Sequence, residues 1–361
     1  MRQRAVIVHR RTELAKELEL HGTRSQAEFI QQRRGSSLSR AAQVHDAVGA
    51  AIAGVAAAVP DDWATARVER DDLDRFLPEP NDVVIVVGQD GLVANVAKYL
   101  DGQLVIGVNT EPGRNPGVLV PFTAAQAKAL IERLAKGAGG SQVSGAGRPA
   151  PEVAGVGVRL LTQVQAELDD GQTLRALNEI FVGHHSHQSA RYRLFLDGSD
   201  GTGSKSGKSR GRSGPPGPSG ASERSGPAWQ DDRRAESQSS SGLVVGTGTG
   251  ATGWLASLSP GHPEMVLPDP AEERLAWFVR EAWPSPATGT SLTAGSLGPG
   301  EALSLVVESE SLVVFGDGME QDRITAARGQ QVRLTVAAER LRLAFPHNTP
   351  QRRPTPTRRR A

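Results

Sequence analysis

The stretch DVVIVVGQDGLVANVAKYL, residues 82–100, sets Asp90 between Gly88 and Gly91, where an apolar run stops and a helical pattern begins. A glycine-bearing turn between a strand's carboxyl end and a helix N-terminus exposes backbone N–H groups. The helix dipole adds partial positive charge, so such a turn favours phosphate. A carboxylate repels that ligand and needs a reason. Beside a bound polyphosphate it would sit where a general base takes the proton of an attacking hydroxyl. An acid in a first helical turn also simply complements the dipole. Spacing alone leaves both readings open. A second stretch, SSSGLVVGTGTGATGWLASL at 239–258, runs from a short apolar strand into Gly246, Gly248, Gly250 and Gly253, interleaved with Thr247, Thr249 and Thr252 and followed by Trp254. Glycines admit a ligand to the backbone, threonine hydroxyls donate without a charge, and the indole offers a face for a stacked ring. The alternative is a glycine-rich hairpin. A P-loop is rejected because its final lysine is missing. In ALNEIFVG, 176–183, Asn178 and Glu179 head an apolar strand. There an amide and a carboxylate could grip the two hydroxyls of a ribose, or mark a turn.

Other polar groups carry less. His184, His185 and His187 sit in VGHHSHQSARYR, and a strand would put His185 and His187 on one face. No cysteine or nearby carboxylate completes a ligand set, so a strand end or subunit contact explains them and no metal site is assigned. Asp317, Glu320 and Asp322 read as a cation loop or, more simply, as a turn between strands. The basic run SKSGKSRGRSG and Arg358–Arg360 lack interleaved aromatics, so a solvated surface is expected rather than a nucleic-acid partner.

Groups of this kind need strands and helices in alternation, and the first part of the chain supplies them. Ala5–Val8 reads as a buried strand and residues 12–32 as a helix. Ser39–Val59 places Val44, Val48, Ile52 and Val55 at spacings of three and four before Pro60, an amphipathic helix. Val83–Val87 and Gln103–Val108 are uniformly apolar, as in central parallel strands covered on both faces. Helices follow over 92–100 and 123–135, the latter capped by Thr123. Residues 1–136 are therefore expected to form an α/β domain with a parallel sheet. A Gly, Ser and Pro linker at 137–151 follows. Residues 152–346 are expected to be β-rich, with strands near 156–161, 179–182, 192–196, 243–245, 302–307, 312–315, 331–336 and 341–345. Residues 198–240 are too polar to offset the cost of ordering, which predicts a disordered insertion, and the basic tail 347–361 reads the same way.

Composition sets the outer bounds. A chain of 361 residues is long enough for two domains with their own cores. With 41 Lys and Arg against 40 Asp and Glu, net charge gives no whole-chain pull toward nucleic acid or acidic lipid. Cysteine is absent, which excludes disulfides, thiolate metal sites and a cysteine nucleophile, and fits a reducing compartment. The first apolar run is too short for a signal peptide, and no window has the length of a membrane span. A soluble, cytoplasmic protein with no membrane partner is the expectation.

Taken in order, these stretches resemble the NAD kinase family, a branch of the wider group that includes diacylglycerol and sphingosine kinases. GQDGL at 88–92 is similar to the family's GGDGT. VIGVNTEPGRNPGVL at 105–119 resembles its strand and GINxGxxGFL loop, and ALNE its NE motif. GTGTGATGW looks like TPTGSTAY, and VVFGDG at 313–318 like a late DG hairpin. The resemblance implies an α/β domain plus a β-rich domain with the site between them. It implies an ATP- and Mg2+-dependent kinase that phosphorylates the adenosine-ribose 2′-hydroxyl of NAD to give NADP. Asp90 would be the catalytic base, Gly88, Gln89 and Gly91 would hold phosphates, and Asn109 would belong to the same site. Asn178 and Glu179 would position the acceptor ribose, with Thr247, Thr249, Thr252 and Trp254 lining the dinucleotide pocket. A homo-oligomer is also implied. The chain departs from the pattern at Gln89 for glycine, Leu92 for threonine, Ser241 for aspartate and Trp254 for tyrosine. These departures keep two alternatives: a kinase of another sugar, nucleoside or lipid hydroxyl, and a non-catalytic dinucleotide-binding regulator.

Overall fold

A computed structural model describes residues 2–136, 152–197 and 235–346. The linker 137–151, most of the insertion (198–234) and the tail 347–361 lie outside the described residues. In chain order the first part contains β1 (Arg4–His9), α1 (Glu13–His21), α2 (Arg24–Arg33), α3 (Ser39–Ala56) and β2 (Ala64–Glu69), then β3 (Asp82–Gly88), α4 (Asp90–Ala97), β4 (Leu104–Asn109) and α5 (Ala124–Ala135). The single helix expected over 12–32 is two, because Gly22 leaves helical geometry at φ 75° and Thr12 and Thr23 each cap a new start. β2 had no clear apolar signal, since only Val68 of its six residues is buried.

The second part begins with β5 (Glu152–Val153), β6 (Val156–Leu161), β7 (Val164–Leu168), β8 (Thr173–Ala176) and β9 (Glu179–Gly183). It continues with β10 (Ala190–Asp197), β11 (Glu236–Ser240), β12 (Leu243–Gly246), α6 (Trp254–Leu258), β13 (Leu275–Val279) and β14 (Ala294–Leu297). Last come β15 (Ala302–Val307), β16 (Ser311–Gly316), β17 (Met319–Ala327), β18 (Gln331–Val336) and β19 (Leu341–Phe345). β11 corrects the insertion boundary: residues 236–240 form a strand against β10. Its sequence, ESQSS, is polar, and tertiary hydrogen bonds specify it. The Glu236 carboxylate accepts the N–H groups of Ser291 and Leu292, and the buried Gln238 amide donates to the Leu292 carbonyl. A second correction concerns His185 and His187, which lie in a bend after β9 rather than on a strand face.

Three sheets result. A mixed sheet has the order β2-β1-β3-β4-β19-β6-β5, with parallel pairing from β2 to β19. Its parallel strands bury both faces: Ala5, Ile7, Ile85 and Val87 pack with α3 and α5, while Val6, Val8, Val84 and Val86 pack with α4. β19 and β6, from the far end of the sequence and from beyond the linker, complete this sheet. The other two are antiparallel, β11-β10-β15-β18-β7-β8 and β14-β13-β12-β9-β16-β17. They close on one apolar layer that includes Ile180, Tyr192, Leu243, Trp277, Leu305 and Val332. The molecule is thus an α/β layer joined to a β-sandwich.

α4 and the two residues that follow it tie the two together. The Asn95 side chain donates to the Asp317 carbonyl at 2.9 Å, and Lys98 donates to the Gly316 carbonyl and pairs with Asp322 at 2.7 Å. Tyr99 donates to the same carboxylate at 2.6 Å. Burial and that carboxylate together push the Tyr99 phenol above its usual range.

Candidate active site

Chain topology determines where a ligand can enter. β2 lies on one side of β1 and β3 on the other, so the connections diverge and leave a crevice at the carboxyl ends of β1 and β3. A cleft of about 720 Å3 opens there. Its floor is the turn after β3, with Gly88, Gln89 and Gly91, and one wall is the turn after β1, with Arg10, Arg11 and Thr12. The Asp317–Gly318 turn between β16 and β17 forms the facing wall. Two helices, α1 and α4, therefore start at the same cleft and point the positive ends of their dipoles at it, Thr12 capping the Ala15 N–H of α1.

The cations of the cleft differ in availability. Arg11 is held by Glu19 and Glu69, and Arg70 by Asp71. Arg10 and Lys16 are exposed and have no ion-pair partner among the described residues, so their charge is available to an anion. Gly91 sits at the second position of α4, where a Cβ would meet nothing within 4 Å. Neither packing nor backbone geometry requires glycine there. Its effect is to leave the cleft floor bare.

Asp90 is the first residue of α4, two residues earlier than the expected helix start, and its carboxylate is occupied. One oxygen accepts the N–H groups of Leu119 at 2.8 Å and Val120 at 3.2 Å, and the other accepts that of Val118 at 3.1 Å. An ionised carboxylate offers about four acceptor positions, so one is left. Asn109, at the end of β4, organises the same loop from below: its Oδ1 accepts the Glu111 N–H and its Nδ2 donates to the Asn115 carbonyl. Asp90 and Asn109 thus fix the loop beside the cleft, while Gly88, Gln89 and Gly91 line the cleft itself.

Of the remaining expected residues, Asn178 and Glu179 gather around Asp317. Asp317 and Gly318 both have positive φ, 54° and 66°, a two-residue hairpin turn that Asp-Gly suits. The Asp317 carboxylate accepts the N–H groups of Leu177 at 2.8 Å, Asn178 at 2.7 Å and Glu179 at 3.4 Å. Burial nonetheless raises its pKa to about 6, against those hydrogen bonds and Lys98. Glu179 is pushed up to about 7, first by burial and then by the Asp317 charge. Its carboxylate has no hydrogen-bond partner among the described residues. Asn178 and Glu179 are both half-buried at the head of β9, next to a turn that lines the cleft.

The GTGTGATGW segment packs onto the same place. The Thr247 N–H donates to the Asn178 carbonyl at 2.9 Å, and its hydroxyl to the Leu177 carbonyl. A Cβ on Gly250 would stand 2.5 Å from the Asn178 carbonyl oxygen, and one on Gly248 only 2.1 Å from the Asp269 backbone. Close backbone packing therefore demands these two glycines. Thr249 is buried and its hydroxyl has no hydrogen-bond partner among the described residues. Thr252 is exposed. Trp254 stacks on Phe181 at 5.5 Å, with the Arg280 guanidinium 5.4 Å from its ring. It lies on the outer face of the sheet, where it helps to cover Phe181.

No protein-family model matches this chain, and no curated protein is significantly similar to it. Sequence reasoning missed Arg10, Lys16 and Asn95. The first two had a signal, because a short apolar strand, two arginines and a threonine cap repeat the strand–turn–helix pattern of residues 82–100. Asn95 had none, since its partner is the Asp317 carbonyl 222 residues away. Among the described residues no three His, Asp or Glu side chains are grouped to hold a metal. No helix among them is long and apolar enough to cross a membrane.

Proposed function

We propose that this chain is a phosphotransferase on an NAD kinase-like fold, moving the terminal phosphoryl group of ATP to a ribose hydroxyl of a dinucleotide, with NAD the first acceptor to test. The cleft carries this reading: two helix N-termini, the unpaired cations Arg10 and Lys16 and the bare Gly91 converge where two parallel strands diverge. That arrangement suits a chain of phosphates. Mg2+ would accompany the donor phosphates and neutralise charge on them. The acceptor would approach over Asp317–Gly318 from the side of Asn178 and Glu179.

In the reaction the hydroxyl oxygen bonds to the terminal phosphorus as the bridging P–O bond breaks, and ADP leaves. The hydroxyl proton needs a carboxylate. Glu179 suits this role, being unpartnered and having a pKa near 7, close to the working pH. Asp90, holding three N–H groups, then serves to position the turn and the 118–120 loop. The same three hydrogen bonds favour the second reading, a dinucleotide-binding regulator without turnover.

The deciding assay incubates the full chain with Mg-ATP and NAD and measures NADP with an NADP-specific dehydrogenase. Sugars, nucleosides and lipid head groups follow as acceptors with labelled ATP. Transfer to any of them supports the phosphotransferase. Tight NAD binding by calorimetry with no product from any donor supports the regulator.

A further inference from the structure

The cleft continues along α3. A second hollow of about 300 Å3 is lined by Arg40, Gln43, Val44, Ala47, Gly113 and Arg114 together with Glu111. Val44 and Glu111 line both hollows, so the two form one groove. Arg40, Val44 and Ala47 fall at intervals of four and three on one helical face, and Arg40 to Val48 spans about 12 Å of helix. Of that span, Arg40 to Val44 lies beyond the first cleft, adding about 6 Å of helix to the groove.

Its chemistry changes along that length. At the α1 and α4 end Arg10 and Lys16 are unpaired cations, beside the exposed carboxylate of Glu13. At the far end Glu111 neutralises Arg40 through a 2.7 Å ion pair, with the Gln89 amide 3.5 Å away on its other oxygen. What remains there is an apolar wall of Val44 and Ala47, the Gln43 amide and the Arg114 guanidinium. Neither of those two polar side chains has a hydrogen bond or ion pair among the described residues. A triphosphate suits the first end. The second offers an aliphatic surface, an amide that can both donate and accept, and a planar cation able to stack on a ring.

Resting on the phosphotransferase reading, we infer that this second hollow is the nucleoside subsite of the phosphate donor, with the base lying on Val44 and Ala47 and its edge met by Gln43 and Arg114. The donor is accordingly a nucleoside triphosphate, and its base contributes to binding.

The test measures affinity by calorimetry for ATP, GTP, CTP and inorganic tripolyphosphate on the full chain. Ala47→Phe fills the hollow and should weaken ATP by about tenfold or more while leaving tripolyphosphate unchanged. Gln43→Ala and Arg114→Ala alter exposed positions, so they keep the test alive if Ala47→Phe does not fold. Each should weaken ATP by about three- to tenfold with tripolyphosphate unmoved, and Gln43→Ala should also reduce the spread between ATP, GTP and CTP. Lys16→Ala should weaken all four ligands alike. Variants that shift tripolyphosphate as much as ATP, or that shift neither, overturn the subsite while leaving the cleft as a phosphate site. A wild type that binds neither ATP nor tripolyphosphate removes the phosphotransferase reading and the subsite together.

Discussion

Replacing Asp90 by asparagine separates three roles that one carboxylate could have. The side chain holds three N–H groups, at 2.8, 3.1 and 3.2 Å. Asparagine can direct its carbonyl oxygen to Leu119 and Val120, but its NH2 then faces the Val118 N–H, donor against donor. One charge-assisted hydrogen bond is lost, worth about 1.5–3 kcal/mol, and two become neutral ones of about half the strength. Val118 is exposed, so water recovers part of its loss. The sum is about 2–4 kcal/mol, which for a chain of this size lowers Tm by roughly 3–6 °C. Differential scanning calorimetry reads that shift, and hydrogen exchange should speed up at Val118, Leu119 and Val120 specifically. Turnover, measured well below the variant's Tm, should stay within about tenfold of wild type, because the residue positions rather than reacts. Helix-dipole complementation alone predicts a loss of only about 0.3–1 kcal/mol and no local change in exchange. A general base predicts a fall in kcat of about 10²–10⁴-fold with the loop intact. Unaltered melting and exchange together with a collapse in kcat would refute the clamp and make Asp90 the proton acceptor.

Glu179→Gln should gain stability over wild type as pH rises. The folded pKa near 7 lies above the ordinary 4.5, so the folded state holds the proton more tightly, and stability present below pH 4.5 is lost as pH climbs through 7. At about 1.4 kcal/mol per pH unit, the variant should be level at pH 4.5 and ahead by up to about 3 kcal/mol at pH 8, with phosphoryl transfer reduced at least about 100-fold. A variant less stable than wild type at pH 8 would refute the account of Glu179 as a half-buried, unpartnered charge. Gly91→Ala should raise Tm slightly, since alanine exceeds glycine by up to about 1 kcal/mol in a helix and its Cβ has room. It should weaken ATP binding, because the methyl group stands on the cleft floor. Unchanged ATP affinity in that variant would mean the phosphates lie elsewhere.

Local sequence determined more of the α/β layer than of the sandwich. β3 and β4 were legible because a parallel strand covered on both faces must be apolar at every position. α3 and α5 were legible from spacing and from the Thr123 cap. β2 and β11 were not, because an edge strand needs only a partner: Val68 is the one buried residue of β2, and β11 is ESQSS, specified by Glu236 and Gln238 bonding to residues more than fifty positions away. The glycine turns at 88–91 and 246–253 were equally visible, yet their meanings differ. Gly91 leaves open space, whereas Gly248 and Gly250 are demanded by the backbones of Asp269 and Asn178. Composition cannot separate a glycine that makes room for a ligand from one that makes room for the chain. Asp90 shows the same limit: its type and place were clear in GQDGL, but whether its carboxylate faces a substrate or three amides depended on where residues 118–120 fold. The sequence by itself determined which residues could bind phosphate or move a proton. Tertiary structure alone decided which of them kept free lone pairs and free charge, because partners drawn from distant segments satisfy such groups or leave them unpaired.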